Sequence, residues 1–280
     1  MTMPEQKTHI TGVEINAPKV RVETWKPQDI ISIANLETDT WAPWLRKPLK
    51  HITTIATHFP DTQLVARDEK NKIAGILTTN RINWDGHPSS LTTWDDVAGG
   101  SVQLSDYSTT YKPDGNTLCL MSMDVTPGLH GVAPQLLEEI RAVAKELGIT
   151  HIISSFRPSG YGNYKQIFGQ VNFEEYCNQV DINGESIDPW LKSVFRQGMK
   201  PLRVEPRSMI VTVDKKTFEQ YKDTYNPELW EQMPNGTWEC GETGSWYATN
   251  ERATYVESNL WGEIPIEAPD KPPAKKYIIS

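Results

Sequence analysis

The sequence predicts an α/β protein in which a mixed central sheet is flanked by helices. Three observations predict this fold class. Apolar residues alternate between strand-like runs and helical stripes over residues 20–156. The segment from Leu118 to Leu147 passes from an apolar strand through a glycine-containing turn into an amphipathic helix. A further strand follows that helix, and this order normally means a right-handed crossover between parallel strands.

The composition is that of a soluble globular protein. The chain has 280 residues, of which 38% are hydrophobic, enough for one large core or two modest ones. The net charge of −8, without a basic stripe, argues against nucleic acid and anionic membranes as partners. No stretch approaches the roughly 20 apolar residues of a membrane span. Because the N-terminus also lacks the apolar core of a signal peptide, we expect a cytoplasmic location.

The cysteines indicate a reducing compartment. Cys119, Cys177 and Cys240 are odd in number, far apart and in no metal-ligand spacing. We therefore expect three free thiols, no disulfide framework and no metal site.

Each element rests on a local signal. Leu49, Ile52 and Ile55 recur at helical spacing, a polar turn at 68–72 joins two strand-like runs, and Gly148 ends the central helix. In chain order we predict a strand at 20–25, helices at 27–38 and 48–58, strands at 63–67 and 73–82, a long polar loop at 85–116, a strand at 118–125, the central helix from Val132 to Leu147, and a strand at 149–156.

The turn before the central helix indicates a class of ligand. Gly131 lets the backbone approach a ligand closely, and the N-terminus of a helix carries N–H groups without intrahelical partners. These groups, together with the helix dipole, favour a phosphate or pyrophosphate. An ordinary strand–helix–strand unit with a tight turn is the alternative interpretation, since a short glycine motif has low specificity.

The same residues resemble a known family. Val125-x-Pro127, Gly131-x-Ala133 and the following Leu136-Leu137 resemble the acyl-CoA-binding signature of the GNAT acetyltransferases. The segment from Asp188 to Gly198 is similar to the late GNAT helix. Residues 63–82 and the Asp188-Pro189 helix resemble a subgroup that includes the GNAT-like domains of polyketide loading modules and related stand-alone bacterial proteins.

The resemblance implies a co-substrate and its contacts. The co-substrate would be acetyl-CoA or another acyl-CoA, transferred to a small-molecule acceptor, with an amine as the family default. The fourth strand would bind the pantetheine arm and the following turn the pyrophosphate. The implied cofactor-binding residues are Met123, Val125, Leu129, His130, Gly131, Val132 and Ala133.

The catalytic candidates are fewer. Val194 stands where the family has a Tyr, or a His in the polyketide-type members, as the acid that protonates the leaving thiolate. Strand alternation places Ser122 and Asp124 on one face, opposite Cys119, Met121, Met123 and Val125, where they could orient an amine or water. Asp124 is a candidate base, although an Asp at a strand end also caps turns.

Tyr164 is the third catalytic candidate. It lies with Tyr161 in a glycine-rich segment that we predict to be a loop after the fifth strand. Ligands of open α/β sheets bind at the carboxyl ends of strands, so Tyr164 is either an acid or a wall of the pocket.

The last third of the chain predicts helices at 173–180, 188–197 and 216–225 and strands at 202–204 and 209–213, followed by an aromatic-rich segment. That segment packs on the core, or alternatively walls the substrate pocket or joins two copies as a homodimer. The predicted organisation is an N-terminal arm at 1–18, a GNAT-like acyl-CoA-binding domain at 19–213, an aromatic-rich C-terminal extension at 214–265 and a flexible tail at 266–280.

Three functions remain open at this stage. The first is an acyl-CoA-dependent acyltransferase. The second is a GNAT-like malonyl-thioester decarboxylase or S-acyltransferase with an acyl carrier protein as partner, against which Val194 argues. The third is a non-catalytic acyl-CoA-binding protein.

Overall fold

The computed structural model describes residues 19–269, so the predicted arm at 1–18 and most of the predicted tail at 266–280 lie outside the described residues. In chain order the elements are β1 (Arg21–Thr24), α1 (Ile30–Thr40), α2 (Leu49–His58), β2 (Leu64–Arg67), β3 (Ile73–Ile82), α3 (Trp94–Ala98), β4 (Thr117–Val125), α4 (Val132–Glu146), β5 (His151–Phe156), α5 (Tyr161–Phe168), α6 (Phe173–Cys177), α7 (Pro189–Arg196), β6 (Lys200–Asp214), α8 (Lys215–Thr224), β7 (Glu231–Gln232), β8 (Trp238–Glu239), β9 (Ser245–Ala248) and β10 (Arg252–Ile264).

One ten-stranded mixed sheet organises the fold, and the predicted fold class is confirmed. The strand order is β1-β2-β3-β4-β5-β10-β9-β8-β7, and β6 pairs with β10. Strands β4 and β5 are parallel, with α4 as their crossover, whereas the other pairs of named strands are antiparallel. The sheet therefore changes from antiparallel to parallel pairing beside the predicted ligand turn.

The helices cover both faces of the sheet. On one face α1, α2, α3 and α8 bury residues such as Ile33, Ile55 and Phe218 in one core cluster. On the other face α4 and α7 bury Leu136, Val194 and their neighbours in a second cluster. Both strand faces around β4 are therefore buried, as expected for a strand at the centre of a layered α/β fold.

Three predicted elements differ in the structure. The predicted loop at 85–116 contains a five-residue helix, α3. The segment after β5 is a helix, α5, and its Gly162 serves close packing and not a turn, since a Cβ there would overlap the backbone of Gly241. The two predicted strands at 202–204 and 209–213 are one 15-residue strand, β6, in which the register slips near Pro206.

The aromatic-rich segment at 214–265 is part of the sheet and carries an aromatic cluster. Its last strand, β10, lies between β5 and β6. Trp44, between α1 and α2, contacts five aromatic rings of the segment at centroid distances of 5.1–5.9 Å: those of Tyr221, Tyr225, Trp230, Trp246 and Tyr255. The boundary proposed at residue 213 thus crosses a continuous sheet and a continuous core.

Over residues 19–269 no helix has the length and apolar character needed to cross a membrane. The same part of the chain holds no cluster of three or more His, Cys, Asp or Glu side chains arranged for a metal ion. Cys119, Cys177 and Cys240 are buried free thiols.

Asp95 is expected to make stability depend on pH. Its Oδ2 accepts the Ile210 N–H at 2.8 Å, and burial raises its pKa to about 7, with Asp96 and Glu257 adding to the rise. Between about pH 4 and 7 the folded chain therefore holds a proton that the unfolded chain has lost, so the free energy of unfolding falls as pH rises through this window. Asp95→Asn keeps the acceptor and removes the titration.

Denaturant unfolding at pH 5 and pH 8 tests this expectation. We expect the loss of stability between the two values to be smaller in Asp95→Asn by about 1–3 kcal/mol, given about 1.4 kcal/mol per pKa unit and partial exposure. Asp39→Asn, at an exposed position of α1, is the control and keeps the wild-type slope. An unchanged slope in Asp95→Asn would contradict the assignment.

Candidate functional site

A cavity lies in the gap between β4 and β5. The two strands pair from Thr117 with His151 to Leu120 with Ser154 and then separate. Beyond this point the facing edges pair with no strand among residues 19–269, so backbone groups there are open to a ligand, apart from the Met121 C=O, which accepts the Trp94 Nε1–H at 3.0 Å. A cavity of about 630 Å³ fills the gap. Its lining includes Trp41, Lys47, Trp94, Met121, Ser122, Met123, Val125, Leu129, His130, Gly131, Ala133, Ser155, Arg157, Trp190, Ser193, Met209 and Asn259.

A bulge in β4 corrects the predicted alternation. Thr78 pairs with Ser122, but the next residue of β3, Thr79, pairs with Leu120, so Met121 is an extra residue. The bulge brings Ser122 and Asp124 to the same side as Cys119 and Met121, facing the α1–α2 connection. The prediction that these two pairs lie on opposite faces is therefore wrong.

The turn before α4 has the predicted form of an anion site. Gly128 and Gly131 have left-handed φ values of 83° and 80°. Among residues 19–269 the backbone N–H groups of residues 130–133 find no acceptor, and Pro134 has no N–H. The half-buried Gly131 and Ala133 and the exposed Leu129 and His130 line this end of the cavity. Their N–H groups and the dipole of the 15-residue α4 suit a phosphate.

Val132 lies behind this turn and outside the cavity lining. It is fully buried, and a Cβ on Gly75 would lie 3.0 Å from its Cγ1. Its side chain therefore fixes α4 close to β3, so any ligand contact would come from its backbone N–H.

Lys47 is a buried cation in the cavity wall that the sequence analysis missed. Its side chain is 3% exposed, and Nζ pairs with Glu37 Oε1 and donates to Ser122 Oγ at 2.8 Å. Ser122 Oγ also lies 2.8 Å from Thr78 Oγ1. The candidate Ser122 thus lines the cavity and is hydrogen-bonded to a charged group.

Asp124 lies behind that wall and does not line the cavity. Its Oδ1 accepts the Trp41 Nε1–H at 2.6 Å, whereas Oδ2 is buried without an N–H or O–H donor among residues 19–269. Burial raises the pKa of Asp124 to about 7, and the neighbouring Glu37 adds to the rise although Lys47 and Trp41 oppose it. The structure does not place Asp124 where it could take a proton directly from an acceptor.

Arg157 is a second cation of the wall, also missed from the sequence. Its guanidinium pairs with Glu242, and Nε donates to Glu257 at 3.0 Å. The Trp41 ring lies 5.4 Å from it. Burial alone would lower the pKa of Arg157, but the two carboxylates outweigh burial and raise it well above its usual value. Lys47 and Arg157 both line the cavity, and no carboxylate in residues 19–269 does so.

The helix α7 closes the cavity on the other side. Trp190 and Ser193 line it, whereas Val194 is fully buried in the core. Asp188 holds α7 in place by accepting the N–H groups of Trp190 and Leu191 at 3.0 and 2.9 Å. Position 194 therefore supplies no acid.

Tyr164 lies outside the cavity lining. It is on α5 and packs against Phe168 and Tyr176 at ring-centroid distances of 4.5 and 5.1 Å. Its role in the structure is packing, and the geometry does not bring it together with Ser122. The error follows from the missed helix, because α5 turns this side chain into the core cluster beside α6.

The fold is shared with solved structures, whereas no protein-family model and no curated protein matches the chain. The loading GNATL domain of CurA from Lyngbya majuscula is 16% identical with a TM-score of 0.60, over 89% of this chain and 98% of that domain. The GNAT-like decarboxylase GphF, solved in complex with isobutyryl-CoA, is 18% identical with a TM-score of 0.58, over 88% of this chain and all of that one. The chain has the GNAT fold. Within this GNAT fold, the strand gap and the α4 turn belong to one continuous cavity.

Proposed function

We propose that the chain is an acyl-CoA-dependent acyltransferase acting on a small-molecule acceptor. The pyrophosphate would lie on the N–H groups of residues 130–133, and the pantetheine arm along the free edge of β4 at Met123 and Val125. The observation that carries this proposal is the row of N–H groups at the start of α4 that have no acceptor among residues 19–269 and that adjoin a cavity of about 630 Å³ between β4 and β5. The structural similarity to GNAT proteins, including one with an acyl-CoA bound, supports it.

The acceptor that the family resemblance predicts is an amine. Ser122 would face the reacting thioester, and His130 and Leu129 would contact the nucleotide end at the exposed mouth. The apolar inner part of the cavity, lined by Trp94, Met121 and Met209, would hold the acyl chain. This division agrees with the usual pattern of an apolar pocket with few polar groups that fix orientation.

Charge at the turn provides the test. Gly131→Glu places a carboxylate in the proposed anion site, and calorimetry should show binding of acetyl-CoA weakened more than tenfold, since hydrogen bonds to a charged group contribute about 1.5–3 kcal/mol each. Gly128→Glu is the matched control, because it has nearly the same φ and open space around it and lies outside the cavity lining.

Gly128→Glu is expected to weaken binding less than threefold. Both variants carry similar backbone strain, so a difference between them reports the ligand and not the fold. Equal affinities in both variants would contradict the proposed pyrophosphate site.

The two cations of the wall favour a second candidate function, decarboxylation or S-acyl transfer of a malonyl-type thioester. Lys47 and Arg157 line the cavity, whereas their partner carboxylates of Glu37, Glu242 and Glu257 do not, so the carboxylate of a malonyl group would meet cations at the wall. In decarboxylation the C–C bond to the carboxylate breaks, CO2 leaves, the electron pair passes into the thioester enolate, and a proton returns to the carbon. An acyl carrier protein would then be the partner.

Direct comparison of substrates separates the two functions. If the chain is a decarboxylase, mass spectrometry after incubation with malonyl-CoA alone should show acetyl-CoA and released CO2. If it is an N-acyltransferase, acetyl-CoA with small primary amines should give free CoA and the amide, while malonyl-CoA alone stays intact.

A further inference from the structure

Glu37, Lys47, Ser122 and Asp124 form a polar group at the cavity wall. Apolar side chains of similar size could shape the same wall. Lys47 and Glu37 are 6% and 2% exposed and Asp124 is wholly buried. Burial of an ion pair costs more desolvation than an apolar pair of the same size, so this arrangement is poorly explained by stability. Lys47 lines the cavity and donates a hydrogen bond to the hydroxyl of Ser122, which also lines it.

We propose that Lys47 is the positioning residue that makes Ser122 the proton donor to the departing thiolate, and that the Glu37 and Asp124 carboxyls behind it resupply the proton. This inference rests on the proposed acyl-CoA function and deepens it. Ser122 would thus supply the acid that α7 does not offer, because Val194 of α7 is buried in the core.

The hydrogen-bond directions fit a donor. Lys47 has no acceptor atom, so its Nζ–H must donate to Ser122 Oγ. When Thr78 also donates to that oxygen, both acceptor positions of the Ser122 hydroxyl are used. Its own hydrogen is then directed away from both partners, toward the cavity that Ser122 lines.

The protons and electrons balance in the proposed step. The acceptor attacks the thioester carbon, the C–S bond breaks, and sulfur takes the electron pair. The Ser122 O–H proton passes to sulfur while a Lys47 N–H proton passes to Ser122 Oγ. A proton from the carboxyl pair returns to Lys47, and the proton released by the acceptor restores that pair through solvent.

The groups around Asp124 set the pH range in which the carboxyl pair of Glu37 and Asp124 holds a proton. Asp124 holds its proton up to about pH 7, because burial and Glu37 raise its pKa. The titratable and charged groups packed around it are Glu37 from α1, Lys47 from the α1–α2 connection, His51 from α2, Cys119 from β4, and Tyr107 with Asp106 from the turn at 106–109. Burial lowers the pKa of His51 to about 4 and raises those of Tyr107 and Cys119 well above their usual values, so these three are uncharged at neutral pH.

The test compares Lys47→Met with the wild type in a turnover assay with acetyl-CoA and small primary amines. If no amine is accepted, water is the acceptor. Release of the CoA thiol is followed with a chromogenic disulfide reagent. We expect kcat to fall at least about 100-fold, as for loss of a general acid, and KM for acetyl-CoA to stay within about threefold. Ser122→Ala should give a similar loss, and the double variant no further loss. Lys50→Met, an exposed lysine of α2, is the control with wild-type kcat.

Lys47→Met leaves Glu37 without its cation, so Lys47→Met with Glu37→Gln is tested beside it to preserve folding. Wild-type kcat should fall above about pH 7, and Asp124→Asn should remove this dependence. If the Lys47→Met, Glu37→Gln variant folds, binds acetyl-CoA and keeps kcat within about threefold of the wild type, the role of Lys47 is overturned. Failure of the wild type itself to bind acetyl-CoA would instead overturn the proposed function.

Discussion

Trp44→Ala is expected to lower the free energy of unfolding by about 3–5 kcal/mol, as for removal of a large buried aromatic side chain. Trp44 is fully buried and contacts five aromatic rings of residues 221–255. Because it lies between α1 and α2, its loss would open a cavity between the N-terminal helices and the C-terminal strands. The indole Nε1 has no partner among residues 19–269, so the loss is one of packing alone.

Chemical denaturation of the variant measures this effect. Tyr247→Ala is the control, since Tyr247 belongs to the same segment but is 54% exposed, and we expect a change below about 1 kcal/mol. Two separate unfolding transitions in the wild type, or equal losses in both variants, would contradict a single core shared by residues 19–213 and 214–265.

Asp188→Ala is expected to have the second large effect, a loss of about 3–5 kcal/mol. The wholly buried carboxylate of Asp188 accepts four hydrogen bonds. They come from the N–H groups of Gly160, Trp190 and Leu191 and from the Tyr176 hydroxyl, at 2.7–3.0 Å. Alanine would leave two buried and two half-buried donors without this acceptor, at a cost of about 1–3 kcal/mol for each buried donor before relaxation.

The site should respond as well, because Asp188 ties the start of α7 to the loop after β5. Loss of this connection would displace the Trp190 wall of the cavity, so acetyl-CoA should bind more weakly in calorimetry below the melting temperature of the variant. Asp214→Ala removes a similar cap from α8, where the exposed Asp214 accepts the Thr217 N–H, and should cost about 1 kcal/mol without affecting binding. Similar effects of the two substitutions would refute the special role of Asp188.

The backbone form of the turn before α4 could be predicted from sequence because its signals are local. Gly128, Gly131 and the apolar stripe of α4 lie within 30 residues. The glycines allow a positive φ and the stripe has helical spacing, and both signals depend only on neighbouring residues. The strand–turn–helix order and the positions of most elements before residue 157 followed from the same kind of signal.

The chemistry of the cavity could not be predicted in this way. Lys47 stands in an unremarkable Arg-Lys-Pro context, and its partner Ser122 is 75 residues away. Arg157 pairs with carboxylates 85 and 100 residues away. The bulge at Met121 has no glycine or proline to mark it, so strict alternation gave the wrong side of β4 for Ser122 and Asp124 relative to Cys119. These features depend on long-range packing that no local pattern encodes.

A crystal structure with a non-hydrolysable acyl-CoA analogue tests the central claim most directly. We predict the pyrophosphate within hydrogen-bond distance of the N–H groups of residues 130–133, the pantetheine arm between β4 and β5, and the thioester position next to Ser122. A ligand bound elsewhere, for example in the polar cavity beside Lys165 and Tyr247, or a strand gap that stays empty at saturating ligand, would contradict the account.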